Sequence, residues 1–295
     1  MVIETHALTK QYRRAFAVRD LDLAVPEGAI SAFLGPNGSG KTTTIRMLLG
    51  LARPSAGVAF VLGCSISNEM DAIAIRRRTA YVAEDKRVYG YMTVRQMLDF
   101  MRSVYSNWNR DRERVLRERF DLPLDRACKK LSKGMRTKLA LVLALSRQLD
   151  LLILDEPSEG LDPGSAEQLL ECVVEAAADG ATVFFSTHQI SEVERIADHV
   201  FIMSRGQLVF QSRLDTLAET YRRVHVAFPG RPPLEDMSLD AARSVRVEGH
   251  VLSFVATGDV ERITQRARAL GAISVHLQPF SLREVFLETT KESRA

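Results

Sequence analysis

Cysteine is scarce. The only three, Cys64, Cys128 and Cys172, lie far apart, with no C-x-x-C spacing and no histidine neighbour of the metal-binding type. That excludes a disulfide framework and a cysteine zinc site, and it suits a reducing cytosol. Long apolar runs are missing as well. No window approaches the ~18 uninterrupted apolar residues of a membrane span; the most apolar stretches, 139–145 and 151–154, are bounded by Lys138, Arg147, Asp150 and Asp155. Any membrane connection is therefore expected to run through a partner. Charge of one sign is equally absent, since 40 Lys and Arg against 37 Asp and Glu leave +3. Basic clusters such as 76–78 and 110–119 read as solvated helix faces, and no nucleic-acid partner is expected. Residues 1–9 carry Glu4 and His6 and lack the basic start and apolar stretch of a signal peptide. What remains is a globular composition, 46% hydrophobic and 26% charged, long enough for one substantial α/β domain and a smaller one.

The chain is organised around Gly35, Pro36, Asn37, Gly38, Ser39, Gly40, Lys41 and Thr42, a G-x-x-x-x-G-K-[ST] run. It follows an apolar stretch at 29–34 and opens a helical pattern at Thr43, which gives strand, phosphate loop and helix. Glycines let the backbone turn its N–H groups onto phosphate oxygens, and the positive end of the following helix favours the same anion. Lys41 would reach the β- and γ-phosphates, and Thr42 would offer its hydroxyl to Mg²⁺, a hard cation that takes oxygen ligands. The candidate nucleotide-binding residues are thus the eight of the motif with Thr43 beside them.

Further along, strands are expected at 2–7, 21–25, 57–62 and 79–83, the last ending at Glu84 and Asp85. Residues 93–101 carry Val94, Met97, Leu98 and Met101 at helical spacing, and 110–120 is a second, highly charged helix. This charged, helix-rich stretch reads as an inserted helical subdomain at about 85–130. Ser132 is a good N-cap for a long helix running to Arg147. The continuous apolar run 151–154 has the signature of a parallel strand buried on both faces. It delivers Asp155 and Glu156 to the end of the sheet where ligands of open α/β folds bind. Two adjacent carboxylates suit a division of labour, Asp155 on Mg²⁺ and Glu156 activating the attacking water. A strand at 182–186 ends near His188, which places that histidine at the same sheet edge. Past about residue 221 the pattern changes to isolated strands and one helix, ending in an amphipathic helix at 282–287, so 221–295 reads as a small α+β appendage to a domain at 1–220.

Together these residues resemble the nucleotide-binding subunit of ATP-binding cassette (ABC) transporters, over about residues 1–217. Gly35 to Thr42 matches the family's Walker A motif, 131–135 its signature, 151–156 Walker B with the catalytic Glu156, and 158–162 the D-loop. His188 matches the switch histidine and Tyr12 the aromatic that stacks on adenine. The resemblance implies an α/β P-loop NTPase core of the ABC ATPase type with a helical insert, ATP and Mg²⁺ as ligands, and Ser132 and Gly134 as the pair that reaches a partner's γ-phosphate. Two positions depart from the pattern. Glu84 stands where the family usually places a Mg²⁺-contacting Gln, and the signature has Lys133 and Met135 where Gly and Gln are common. A carboxylate is still an oxygen ligand, so Glu84 joins Thr42 and Asp155 as a candidate metal ligand.

The family's geometry also implies a second ATPase subunit, either an identical copy or a related chain, because one phosphate loop and one signature per chain complete a site only across an interface. It implies a separate transmembrane permease subunit, with this chain cytoplasmic and peripheral on the inner face of the cell membrane. The tail at 279–287 looks like that of bacterial exporters whose ATPase and membrane subunits are separate chains. Competing readings are a soluble ABC ATPase acting on ribosomes or DNA, and a P-loop kinase or GTPase. The latter would make the signature, Glu156 and His188 coincidences.

Overall fold

Apolar alternation and apolar continuity build two different sheets in the first part of the chain. β1 (Ile3–Tyr12) and β2 (Ala15–Val25) pair antiparallel, and the alternately buried Leu21, Leu23 and Val25 of β2 face the core. Tyr12 is the last residue of β1, opposite Ala15. β3 (Ile30–Leu34), buried along its whole length, leaves this sheet, and the phosphate loop and α1 (Lys41–Leu48) follow it. β4 (Ala56–Val61) and β5 (Cys64–Ser65) return to it, which gives the order β2-β1-β4-β5. This computed structural model describes residues 1–86, 88–234, 237, 243–257 and 260–292.

α2 (Glu69–Arg78), capped by Asn68, leads into β6 (Thr79–Val82), after which the chain becomes helical. α3 (Val94–Val104) starts at a capping box between Thr93 and Gln96 and buries Val94, Met97 and Leu98. α4 (Arg110–Arg119) carries the buried Glu113, which accepts from Arg102 at 2.7 and 2.6 Å and from the Trp108 indole at 2.8 Å. The two ends of this helical stretch are tied together. Thr93 and Ala127 form an isolated bridge, Cys128 N–H donates to Met92 O at 2.8 Å, and Lys129 N–H donates to Gly90 O at 3.0 Å.

α5 (Lys133–Leu145) then returns the chain to β7 (Leu151–Asp155), and α6 (Pro163–Ala178) leads to β8 (Thr182–Thr187). α7 (Ile190–Ile196), β9 (His199–Ser204) and β10 (Gln207–Arg213) complete a second sheet of order β10-β9-β3-β8-β7-β6. Its β9-β3, β3-β8, β8-β7 and β7-β6 pairings are all parallel. Parallel pairing explains why β3, β7 and β8 are buried throughout, since helices cover both faces of such a sheet. It also brings the C-terminal ends of β3, β7 and β8 side by side.

The chain divides into compact units Met1–Gln211 and Ser212–Ala295. In the second, α8 (Leu214–Thr220) precedes an antiparallel sheet of order β12-β13-β11-β14, made from β11 (Tyr221–Ala227), β12 (Arg243–Glu248), β13 (Val251–Thr257) and β14 (Ser274–Pro279). α9 (Val260–Ala269) contributes Ala267 to a core with Val224, Val226, Leu252 and Phe254, and α10 (Leu282–Glu292) ends the described chain.

Candidate active site

Three parallel strand ends converge on one cluster. The phosphate loop leaves β3 at Gly35, where an added methyl would lie 2.4 Å from the Met203 carbonyl oxygen. Gly40, at φ +109°, closes the loop against the Ala17 carbonyl, whose oxygen would lie only 2.3 Å from an added Cβ. Neither position admits another residue without moving backbone. Lys41 is only 5% exposed, and its ammonium donates to Gly35 O at 2.7 Å and Pro36 O at 3.3 Å.

β7 places Asp155 and Glu156 next to that loop. Asp155 Oδ1 accepts from Ser186 Oγ at 2.6 Å and from Thr42 Oγ1 at 3.2 Å. Glu156 Oε2 meets His188 Nδ1 at 2.8 Å, and Oε1 lies 3.1 Å from the Lys41 ammonium without the alignment of a hydrogen bond. The Glu156 backbone is held as firmly as its carboxylate: at φ 45° it sits in the left-handed region, and its N–H donates to Ser186 Oγ at 3.0 Å. On the far side, Gln189 Nε2 donates to Ser158 Oγ at 3.2 Å.

Lys41, Thr42, Asp155, Glu156 and His188 are therefore brought together. Gly38 and Ser39 lie in the same loop, whereas Tyr12 is half exposed at the hairpin end of β1 with the Lys10 ammonium 4.9 Å from its ring centre. Ser132 caps α5 by accepting from Met135 N–H at 3.1 Å, and an added methyl on Gly134 would meet only the Leu161 side chain. Among the described residues, neither is hydrogen bonded to the Lys41 and Glu156 cluster. Ser186, which joins the Asp155 carboxylate to the Glu156 backbone N–H, escaped sequence reasoning; its place at the end of β8, two residues before His188, was the available signal. Lys86 escaped it too, and nothing local in the sequence announces it.

Glu84 is exposed and lines a cavity of about 380 Å³ with Asp155, Arg46, Tyr81 and Lys86. Burial, with Asp155 next in weight, pushes the Tyr81 phenol well above its ordinary range, so it remains a neutral hydroxyl. Glu84→Gln keeps an oxygen at this position. It is expected to leave ATP affinity within about twofold and to shift the Mg²⁺ dependence of hydrolysis by no more than about fivefold, read from a Mg²⁺ titration. Complete loss of hydrolysis would instead make Glu84 a base.

The donor set fits a nucleotide with a hard cation. Asp155 Oδ2 and Ser39 Oγ are buried without a hydrogen-bond partner, and unsatisfied buried oxygens of this kind call for a ligand. Thr42 and Asp155 offer only oxygen, as Mg²⁺ requires.

The sequence matches the family described as ABC transporter over residues 18–159. It is 33% identical over 305 residues to the daunorubicin/doxorubicin resistance ATP-binding protein DrrA of Streptomyces peucetius, covering 98% of this chain and 92% of that protein. The chain belongs to the ATP-binding proteins of ABC transporters. The Nod factor export ATP-binding protein I of Rhizobium johnstonii is similar at 30% identity, over 98% of this chain and 95% of its own. A solved ATP-binding subunit of an ABC transporter superposes with a TM-score of 0.68 at 30% identity, over 74% of this chain and 92% of that one. This ABC ATPase therefore has the α/β fold that its motifs imply, and the kinase and GTPase readings fall away.

Proposed function

We propose that this ABC ATPase subunit powers export through a separate membrane-spanning chain, with ATP and Mg²⁺ as its ligands. The observation that carries the reading is the buried Lys41–Glu156 pair beside Asp155 with the exposed His188 at its rim, where a cation, a base and an orienting imidazole converge at one sheet edge. Thr42 and Asp155 would hold Mg²⁺, which supplies charge neutralisation on the phosphate oxygens when bound. Lys41 is paired with Glu156 here. Turning its ammonium to the phosphates would release the Glu156 carboxylate to take a proton from water, with His188 fixing its orientation.

Ser132 and Gly134 at the start of α5 would reach the ATP of a second ATPase subunit, identical or related, so that two nucleotides are enclosed between two chains. No helix among the described residues is long and apolar enough to cross a membrane, which is consistent with docking on the inner face of the cell membrane through a permease. DrrA and the Nod factor protein are named for resistance and export. That favours an exporter over a ribosome- or DNA-associated ATPase.

The helical insert between Glu84 and Lys130 is the docking surface in this reading. Tyr89 packs on Tyr91 at 5.9 Å and edge-on to Phe100 at 5.7 Å between ring centres, and Tyr91 remains 75% exposed. Tyr89 also lines an apolar groove of about 720 Å³ with Leu51, Met97, Met101 and Tyr105; Met92 lies beside the aromatic cluster in sequence. Exposed tyrosines next to an apolar groove are suited to anchor a short helix. Changing Tyr89 and Tyr91 together to Ser is expected to keep basal ATP hydrolysis within about twofold while co-purification with the permease drops at least about tenfold. Unchanged co-purification and transport would place the docking surface elsewhere.

A further inference from the structure

The loop that follows β6 contains a buried cation that the nucleotide chemistry leaves unassigned. Lys86 is 5% exposed, yet it lies between charged neighbours in sequence, Asp85 before it and Arg87 after. Its backbone takes the left-handed conformation, φ 42°, and its N–H closes a turn onto Ala83 O at 3.1 Å. These constraints aim the side chain inward, where Nζ donates to the backbone carbonyl of Glu156 at 2.9 Å, across 70 residues of sequence. No carboxylate is paired with this ammonium among the ion pairs of the described residues. Burial pulls its pKa down, with Glu159 the leading opposing influence. A desolvated lysine committed to a peptide oxygen is an unusual use of charge, because burial without a counter-ion is costly.

The recipient explains it. Glu156 sits in the left-handed region and persists there only if its surroundings over-determine it. Ser186 holds the N–H side of the residue, and Lys86 holds the C=O side together with a longer bond from the Glu159 N–H at 3.3 Å. The carboxylate is then aimed by a backbone fixed at both ends. Lys86 lines both the cavity that contains Asp155 and the apolar groove that contains Tyr89. It therefore links the surface assigned to the permease with the residue assigned as base.

We propose that Lys86 is a positioning residue for Glu156: it clamps the Glu156 peptide in its left-handed conformation and ties that conformation to the loop bordering the apolar groove. The proposal rests on Glu156 being the base. Phosphate release is measured on the purified full chain with ATP and Mg²⁺ for wild type, Lys86→Met, Lys86→Arg, Glu156→Gln and the Glu156→Gln/Lys86→Met pair. Lys86→Met is expected to lower kcat about tenfold or more while the KM for ATP stays within about twofold, and Lys86→Arg, which can still donate, to recover most of the rate. In the Glu156→Gln background the same change should cost nothing further, because both act on one group. Hydrogen exchange should rise at residues 152–160 and not at 182–187. A wild-type kcat in Lys86→Met, or a full multiplicative loss on top of Glu156→Gln, overturns the proposal. If Lys86→Met does not fold, Lys86→Gln carries the same two comparisons. Wild-type turnover by Glu156→Gln alone would instead remove Glu156 as the base, a separate failure.

Discussion

Glu156→Gln is expected to bind ATP as the wild-type chain does and to release phosphate at least about a hundredfold more slowly. The amide matches the carboxylate in shape, can still meet His188, and offers an oxygen to Lys41, so the pocket is preserved. What it cannot do is accept a proton. Binding without turnover should also hold two chains around their nucleotides, which gives a second readout. With ATP and Mg²⁺, the variant should elute from size exclusion as a dimer, whereas wild type should revert to monomer as ATP is consumed. A variant that stays monomeric under those conditions refutes dimerisation of the isolated chain. A variant that hydrolyses at the wild-type rate removes Glu156 from the chemistry.

Lys41→Ala should weaken nucleotide binding by about 150-fold or more. In the structure this ammonium is buried against Glu156, with the Gly35 and Pro36 carbonyls as its other partners. Removing the ammonium deletes a charge-assisted hydrogen bond to phosphate worth up to roughly 3 kcal/mol, and it leaves the partner charge uncompensated. Here the uncompensated charge would be a carboxylate next to the place intended for phosphates, so the loop loses its attraction and gains a repulsion. Loss of about 3 kcal/mol corresponds to an affinity reduced about 150-fold. Calorimetric titration with ATP would read it directly, and an affinity within a few-fold of wild type would refute the assignment of the loop.

Much of this arrangement is legible in the sequence, and for reasons that are local. The phosphate loop is read from consecutive residues, since glycine is the only residue that tolerates the Gly35 and Gly40 positions. The run at 151–154 is buried on both faces, and such strands look the same in sequence as in structure. Other features resist a local reading. α7 is only seven residues long, too short for its periodicity to register against the strand and loop around it. Ser186 and Lys86 acquire meaning through partners 31 and 70 positions away, and the sequence around either is unremarkable. The candidate site residues are thus easier to read from the sequence than those that hold them in place. A motif states what a backbone must do at one point, whereas a support is defined by what happens to fold beside it.

The ties between Thr93 and Ala127, Met92 and Cys128, and Gly90 and Lys129 carry a mechanical consequence. A segment fastened at its own neck cannot absorb a push on its tip by stretching out, because its entry and exit would have to part first. It turns as one body about the neck, which works as a fulcrum. The arm on one side carries α3 and α4; on the other are the stem after β6 and the start of α5, which lead to Lys86 and Ser132. Displacement of that helical arm would then arrive at both as rotation, in fixed proportion, without a signal having to pass from one to the other.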